Sequence, residues 1–486
     1  MKSLKQQGIE AFVWDFVGKL AKRGMGFVVT IILARLLQPE DFGSIAIVMI
    51  VIEVAALFVN IGLSGALIQR RHVLDIHYSS VFYFSLCIST LLTAIIFVVS
   101  PWIASFYNQE ILEYLLKTLS VLFIIGSLTS VQATKFRKEL NYKVLTGTGL
   151  ITSAVGGGVG VVMALNGAGV WSLVASSFVG QSLYGIVIWT KSSWKPSLNF
   201  SFKALRQLWG FGFRMFLSLI IDTIFIRIDY LIIGKLFPLA TVGFLQRAKS
   251  LNELAVHYSS GSLMAILFPL LSKVKNDLER FQKIIIKSLN IIVFVAFFLL
   301  GSLYLSAESL IVLLFGEKWL PSVVYFEIIA LGSFARPISP LLLSILSSRG
   351  NSKAFLRLEV YKKLLMSTDF IVLYYFGVMN YLYYRIATQL GTVYMNIVFA
   401  SNEVKLTKLT FIKPIFIQGC IAVVSVLIIY YFNHGRQMAH LGLLTVQTIE
   451  YGLLYVGMNI VFKTDSNRYI MNELKPHFNK VLMKIR

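Results

Sequence analysis

The stretch LARLLQPEDFG, Leu33–Gly43, is written again in plan two hundred positions later as IGKLFPLATVG, Ile233–Gly243. In each, a basic residue (Arg35, Lys235) ends an apolar run, a proline follows three or four residues on, and a glycine closes the stretch. Proline and glycine so placed stop one helix and turn the chain into the next. A turn written twice at the same phase means that the chain repeats something larger, and the size of that unit depends on what lies between the two copies.

Composition sets the class. The chain has 486 residues, of which 57% are hydrophobic and 14% charged, and its mean hydropathy is +0.74. A water-soluble globule has no use for so much apolar surface. Apolar runs near the length of a bilayer crossing recur from end to end. They lie near 12–37, 42–68, 78–105, 110–131, 144–165, 169–190, 208–237, 241–271, 284–316, 319–348, 354–377, 380–402, 411–432 and 439–462. The expected fold is therefore an all-α integral membrane protein of about fourteen transmembrane helices.

The net charge of +22 does not point to nucleic acid, because basic loops orient a membrane protein. Cys87 and Cys420 both fall inside apolar runs, so neither a disulfide framework nor a metal site is implied. The opening MKSLKQQGIEAFVWDFVGKLAKRG lacks a short apolar core with a small-residue cleavage site and does not read as a removable signal peptide. The N-terminus, 69–72, 133–143, 191–206, 272–283, 348–357, 402–413 and the segment after Phe462 together hold 28 Lys and Arg; the alternate loops hold two, Lys318 and Arg436. The positive-inside rule then places both termini in the cytoplasm.

With that topology the repeated turn acquires a meaning. Leu33–Gly43 closes the first span and Ile233–Gly243 the seventh, both at the outer surface, and the even separation lets both halves enter from the same side. The chain is thus expected to hold two six-helix lobes, related as parallel repeats around a central cavity. The N-lobe covers 1–190, a cytoplasmic linker 191–207, the C-lobe 208–403, and the thirteenth and fourteenth spans with the basic tail 404–486. Paired lobes that rock about a cavity are a transporter's architecture. The outer loops are short, which argues against a membrane-embedded glycan polymerase or ligase.

Ionisable residues inside spans each cost about 2.5–3.5 kcal/mol at a helix centre and by default face a cavity or a partner. In the first span Asp15, Lys19, Lys22 and Arg23 make one polar stripe. The seventh span carries Arg214, Asp222 and Asp229 on one face and Arg227 on another; the eighth carries Arg247 and Glu253. Glu53, Arg336, Asp369 and Arg385 lie singly in other spans. Asp15 and Lys19, near the expected cytoplasmic interface, read as snorkelling residues or an internal ion pair. Arg23, Arg214, Arg227, Arg247, Arg336 and Arg385 are the candidates for a cationic substrate site, because a guanidinium holds phosphate through paired hydrogen bonds and keeps its charge. Asp369, flanked by Ser367 and Thr368, leads the candidates for coupling to H⁺ or Na⁺, with Asp222, Asp229 and Glu253 behind it. The alternative for each charge is a helix-to-helix ion pair. AVGGGVG (154–160) lies in mid-span with no strand before it, so Gly156 and Gly160 read as close-packing positions rather than a phosphate loop. No nucleotide-binding motif, cofactor site or catalytic constellation is recognisable.

IILARLLQPEDFGSIAI (31–47), NIGLSGALIQRR (60–71), NGAGVWSLV (166–174), LIIGKLFPLATVGFLQRAKSL (231–251) and FPLLSK (268–273) resemble the Wzx-type polysaccharide flippases. More narrowly they resemble the WzxC-like branch of the polysaccharide transport family, in the multidrug/oligosaccharidyl-lipid/polysaccharide superfamily. The resemblance covers most of the first nine spans and departs from the family at LFPLATVGF, where relatives often carry a more polar turn. It implies flipping of an undecaprenyl-pyrophosphate-linked oligosaccharide (an O-antigen, capsule or exopolysaccharide repeat unit) across a bacterial inner membrane by alternating access. It also implies a MATE-like two-lobed fold, membrane lipids and the lipid-linked glycan as partners, a glycan polymerase as a candidate partner, and no nucleic acid. The rival within the superfamily, a drug or cation antiporter, favours an acidic cavity, and the charges here lean basic.

Overall fold

The computed structural model describes the backbone of residues 4–60, 63–70, 72–433, 436 and 438–471, with some side chains near the N-terminus, in 210–222 and 254–269 and at 352 outside the description. Among the described residues all regular secondary structure is helical, with no strand. Helices α1 (Leu4–Leu36), α2 (Pro39–Asn60), α3 (Leu63–Gln69), α4 (Asp75–Tyr107), α5 (Ile111–Lys138), α6 (Tyr142–Leu165), α7 (Trp171–Lys191) and α8 (Phe202–Leu236) come first. They are followed by α9 (Leu239–Lys273), α10 (Leu278–Leu305), α11 (Ala307–Phe315), α12 (Pro321–Gly332), α13 (Ala335–Arg349), α14 (Ser352–Val404), α15 (Lys408–Asn433) and α16 (His440–Val461).

Nine helical stretches among the described residues are long and apolar enough to cross a membrane, so the chain is a multi-pass membrane protein. Helices α1, α8, α9 and α14 also lie on apolar runs, but these four carry most of the charges named above. Two runs that read as single spans are interrupted: 284–316 between α10 and α11, and 319–348 between α12 and α13; the run 42–68 includes positions 61–62, which lie outside the described residues. Conversely the runs 354–377 and 380–402 are joined within α14 and separated by Gly377, whose φ of 81° breaks the helix. That backbone lies in the left-handed region, which a side chain disfavours.

The chain divides into two compact units, Met1–Gly243 and Phe244–Arg486. In the first, α6 packs on α7 and on α1, α4 on α5, and α8 on α2, α3 and α4. Small residues set the closest approach. A Cβ built on Gly156 would stand 2.6 Å from the Ser176 carbonyl oxygen, and one on Gly160 would stand 3.0 Å from that of Ser172. The two glycines expected to pack helices closely do so, along the α6–α7 seam. The segment between α7 and α8 is extended yet moored: Ser197 N–H donates to Ser79 Oγ at 3.1 Å, Ser201 N–H to Ser80 Oγ at 2.9 Å, and Trp194 is buried against Tyr78 and Phe82.

The repeated turns meet in this unit. Leu37 N–H donates to Leu33 O at 2.8 Å and Phe237 N–H to Ile233 O at 2.8 Å; Asp41 N–H reaches Gln38 O at 3.1 Å and Thr241 N–H Pro238 O at 2.9 Å. Each turn presents its closing glycine to the other's backbone. A Cβ on Gly43 would lie 2.0 Å from Leu239 O, and one on Gly243 would lie 2.1 Å from Pro39 O. Both pairs keep the two-hundred-residue offset, so the contact is reciprocal, as it is across a twofold axis.

In the second unit, α13 and α14 pack together and α10 packs on α15, around Phe281, Leu289, Leu341, Ile345, Ile397 and Phe411. A buried polar chain joins α15, α16 and the residues that follow α16. Tyr455 OH donates to Gln418 Oε1 at 2.6 Å, Gln418 Nε2 to Asn459 Oδ1 at 2.6 Å, and Thr464 Oγ1 to the same oxygen at 2.6 Å. Buried polar groups that partner one another in this way hold helices in register where hydrophobic attraction between them is weak.

Candidate functional site

Arg227 of α8 and Glu53 of α2 form the best-defined charged contact in the first unit. The Arg227 Nε lies 3.1 Å from Glu53 Oε2 and its Nη2 lies 3.3 Å from Oε1. The fork of the guanidinium thus meets the fork of the carboxylate, which fixes its plane. Both side chains stay about a third exposed, at 37% and 36%. Sequence reading noted Glu53 only as a solitary charge. The 174 positions between the two residues leave no periodicity that could pair them.

The other candidates sort by their surroundings. Arg336 reaches Glu253 at 3.9 Å, with both side chains largely exposed, which is a loose pair. Arg247 is buried, with its guanidinium carbon 6.0 Å from the centre of the Phe315 ring. Arg385 donates to the Tyr381 hydroxyl and lies 5.6 Å from that ring. Arg23 is exposed on α1. The side chains of Arg214 and Asp222 lie outside the described residues.

Among the acids, Asp369 is buried, and its Oδ1 accepts a hydrogen bond from Thr388 Oγ1 at 2.8 Å. The break at Gly377 folds the two arms of α14 back on each other. It also brings Thr368 Oγ1 within 3.0 Å of the Tyr384 hydroxyl, so Asp369, Thr388 and Arg385 share one neighbourhood. A buried carboxylate beside hydroxyls can take up a proton or a small cation. Asp229 is buried too, and accepts from the N–H of Tyr230 at 3.0 Å. Lys19 Nζ lies 2.5 Å from Asp15 Oδ2, one turn away on α1, so these two form an ion pair within the helix.

The first unit also holds an open cleft of about 940 Å³ among α1, α2, α5, α6 and α7. Lys19, Lys22 and Arg137 stand at one end of it and Leu33, Ile45 and Leu173 at the other. Sequence reading passed over it. Arg137 was counted as a loop charge, and Gln181 and Tyr184 are isolated polar residues in an apolar run. Only the Asp15–Lys19–Lys22 stripe signalled its cationic end.

The sequence model of the family described as polysaccharide biosynthesis protein matches residues 32–324. The chain is 26% identical over 306 residues to the succinoglycan biosynthesis transport protein ExoT of Rhizobium meliloti, covering 63% of this chain and 62% of that protein. It therefore spans somewhat less than two thirds of that relative. To the lipopolysaccharide biosynthesis protein WzxC of Escherichia coli it is 21% identical over 377 residues, covering 76% of each. Among solved structures, the lipid II flippase MurJ in an inward closed conformation superposes with a TM-score of 0.74 at 14% identity, covering 93% of this chain and 98% of that one. At that identity the likeness speaks for the fold.

Proposed function

The chain belongs to the polysaccharide biosynthesis protein family, and from that membership we propose that it is a flippase carrying a lipid-linked oligosaccharide across the membrane. It is a transporter, not an enzyme. The observation that carries this reading is the placing of guanidinium groups within apolar helices, led by Arg227, which is held in a fixed plane yet stays about a third exposed at 37%. The names of the relatives support it, as does the fold shared with a flippase.

In the proposed mechanism the carrier is an undecaprenyl pyrophosphate in a bacterial inner membrane, and both termini of this chain are cytoplasmic. The diphosphate is drawn to the arginines, above all Arg227, which lower the cost of taking its charge out of water. The polyprenyl tail remains in lipid. The repeats 1–190 and 208–403, joined by 191–207 and followed by 404–486, supply the alternating halves. Proton or cation uptake at Asp369 biases them, provided the affinity differs between the two states.

The test is export of lipid-linked repeats in a strain that depends on this chain. Arg227→Ala lowers transport about ten-fold or more while membrane insertion stays normal. The exchange Arg227→Glu with Glu53→Arg restores the ion pair, yet transport remains low, because the cation has moved to another helix. Wild-type transport in Arg227→Ala removes that residue from the site. Normal surface glycan in a clean deletion without a redundant flippase overturns the function.

A further inference from the structure

The cleft inside the first unit is a second, larger feature that the arginines do not account for. Its volume, about 940 Å³, is at the upper end of the ligand-pocket range of roughly 300–1,000 Å³. Its lining changes character along its length. The cationic end holds Lys19, Lys22 and Arg137 against the single carboxylate of Asp15, an excess of two positive charges. Next stand two tyrosines, Tyr142 and Tyr184, and then a belt of amide and hydroxyl groups that includes Gln181, Thr129, Ser153 and Ser177. Gln181 Nε2 donates to Leu122 O at 3.0 Å, which pins the amide and turns its carbonyl side towards other donors. The far end is apolar, lined by Leu33, Ile45 and Leu173.

A lipid tail has no use for such a belt, and a simple anion has no use for such a length. The order cation, aromatic ring, amide and hydroxyl matches a head group in which a diphosphate is followed by sugar rings. The phosphates meet the cations, the rings stack on tyrosine, and their hydroxyls exchange hydrogen bonds with Gln181, Ser177 and Thr129. We infer that this cleft is a glycan-reading site: at a step separate from capture at Arg227, it seats the diphospho-oligosaccharide with the diphosphate at Lys19, Lys22 and Arg137 and the sugars extending along α7. This rests on the flippase reading and adds to it a place where the sugars of the repeat unit are recognised, within one unit of the molecule.

Two glycines make the site testable without disturbing helix packing. A Cβ on Gly26 or Gly149, both lining the cleft, would meet nothing within 4 Å. Gly26→Phe and Gly149→Trp therefore fill the cleft from its walls. Gly158 also has open space, lies outside the lining, and serves as the control in Gly158→Phe. Full-length protein in detergent is titrated with two probes, a polyprenyl diphosphate carrying a tetrasaccharide and the same lipid diphosphate without sugar. The same variants in proteoliposomes are assayed for translocation of the tetrasaccharide probe.

The filled variants are expected to bind the tetrasaccharide probe about ten-fold more weakly, a change of roughly 1.4 kcal/mol, while the sugarless probe stays within about two-fold. Lys22→Gln with Arg137→Gln weakens both probes, and the control weakens neither. If the filled variants bind and translocate the tetrasaccharide like wild type, the glycan site falls and the flippase reading stands. If wild type neither binds nor translocates either probe, the flippase reading falls and takes the site with it. Equal loss of both probes in the filled variants also overturns the site, because it reports a general defect. Should a filled variant fail to fold, Ser177→Cys in a chain whose Cys87 and Cys420 are replaced by Ser gives the same answer. Its alkylation is slowed by the tetrasaccharide probe and not by the sugarless one, and equal rates count against the site.

Discussion

The turn at Leu37–Gly43 and the turn at Phe237–Gly243 share a backbone but not a chemistry. Their hydrogen bonds coincide at the two-hundred-residue offset, and each glycine abuts the other's carbonyl. Around this common frame the side chains diverge. In the first turn Asp41 Oδ2 accepts the Gln38 N–H at 2.9 Å, and α2 opens with Glu40 and Asp41. In the second turn no acid stands at the start of α9. Its anchor is instead Lys235, which donates to Phe106 O and lies 4.5 Å from the centre of the Phe106 ring. The repeat is therefore carried by backbone and glycine, while the means of fixing each turn has been chosen separately.

The harshest way to break the pair is to add a methyl group at its centre. Gly43→Ala or Gly243→Ala places a carbon about 2 Å from a carbonyl oxygen. A backbone atom cannot rotate away as a side chain does, so the turns must part. Each substitution should cost about 2–3 kcal/mol, read as a lower unfolding temperature in detergent. Once the turns have parted, the second methyl meets less resistance. The double variant should thus fall short of the sum, whereas additive losses would show that the two contacts are independent.

The next substitution tests whether the anchors are interchangeable. Lys235→Met keeps the stem over Phe106 but removes the charge and the donor, and should cost about 1 kcal/mol in the same measurement. The nearby Tyr107 hydroxyl, which donates to Leu231 O at 3.3 Å, is a longer and weaker link. Tyr107→Phe should change less than Lys235→Met. The reverse order would transfer the anchoring role to the tyrosine.

The sequence showed these turns because helix stops are local: proline, glycine and a basic residue within eleven positions suffice. It showed the helices for a similar reason, since apolar runs report contact with lipid residue by residue. It did not show the breaks at Leu305–Ala307 and Gly332–Ala335, because hydropathy is blind to a lost hydrogen bond inside an apolar stretch. Gly377 stood in a recognisable turn, GVMN, and it breaks α14. Ion pairs such as Arg227 with Glu53 were out of reach, since partners on distant helices leave no mark on either segment. The cleft was hidden because volume belongs to the packing of five helices and to no one of them.

The smallest effect explains why the two turns differ. Asp41 is the third residue of α2, and its carboxylate reaches back to the N–H of Gln38 just ahead of the helix, which is half of a capping box. Asp41→Ala should cost about 0.5–1 kcal/mol, and Asp41→Asn less, because the amide oxygen still accepts the bond and only the favourable charge at the helix start is lost. In the second turn the residue in the place of Gln38 is Pro238, which has no N–H to offer. An acid at Thr241, the counterpart of Asp41, would find no bond to accept there and would gain only from the helix dipole. Thr241→Asp should therefore stabilise by no more than the difference between Asp41→Asn and wild type. A gain as large as the whole loss in Asp41→Ala would mean that charge alone, not the missing N–H, separates the two turns.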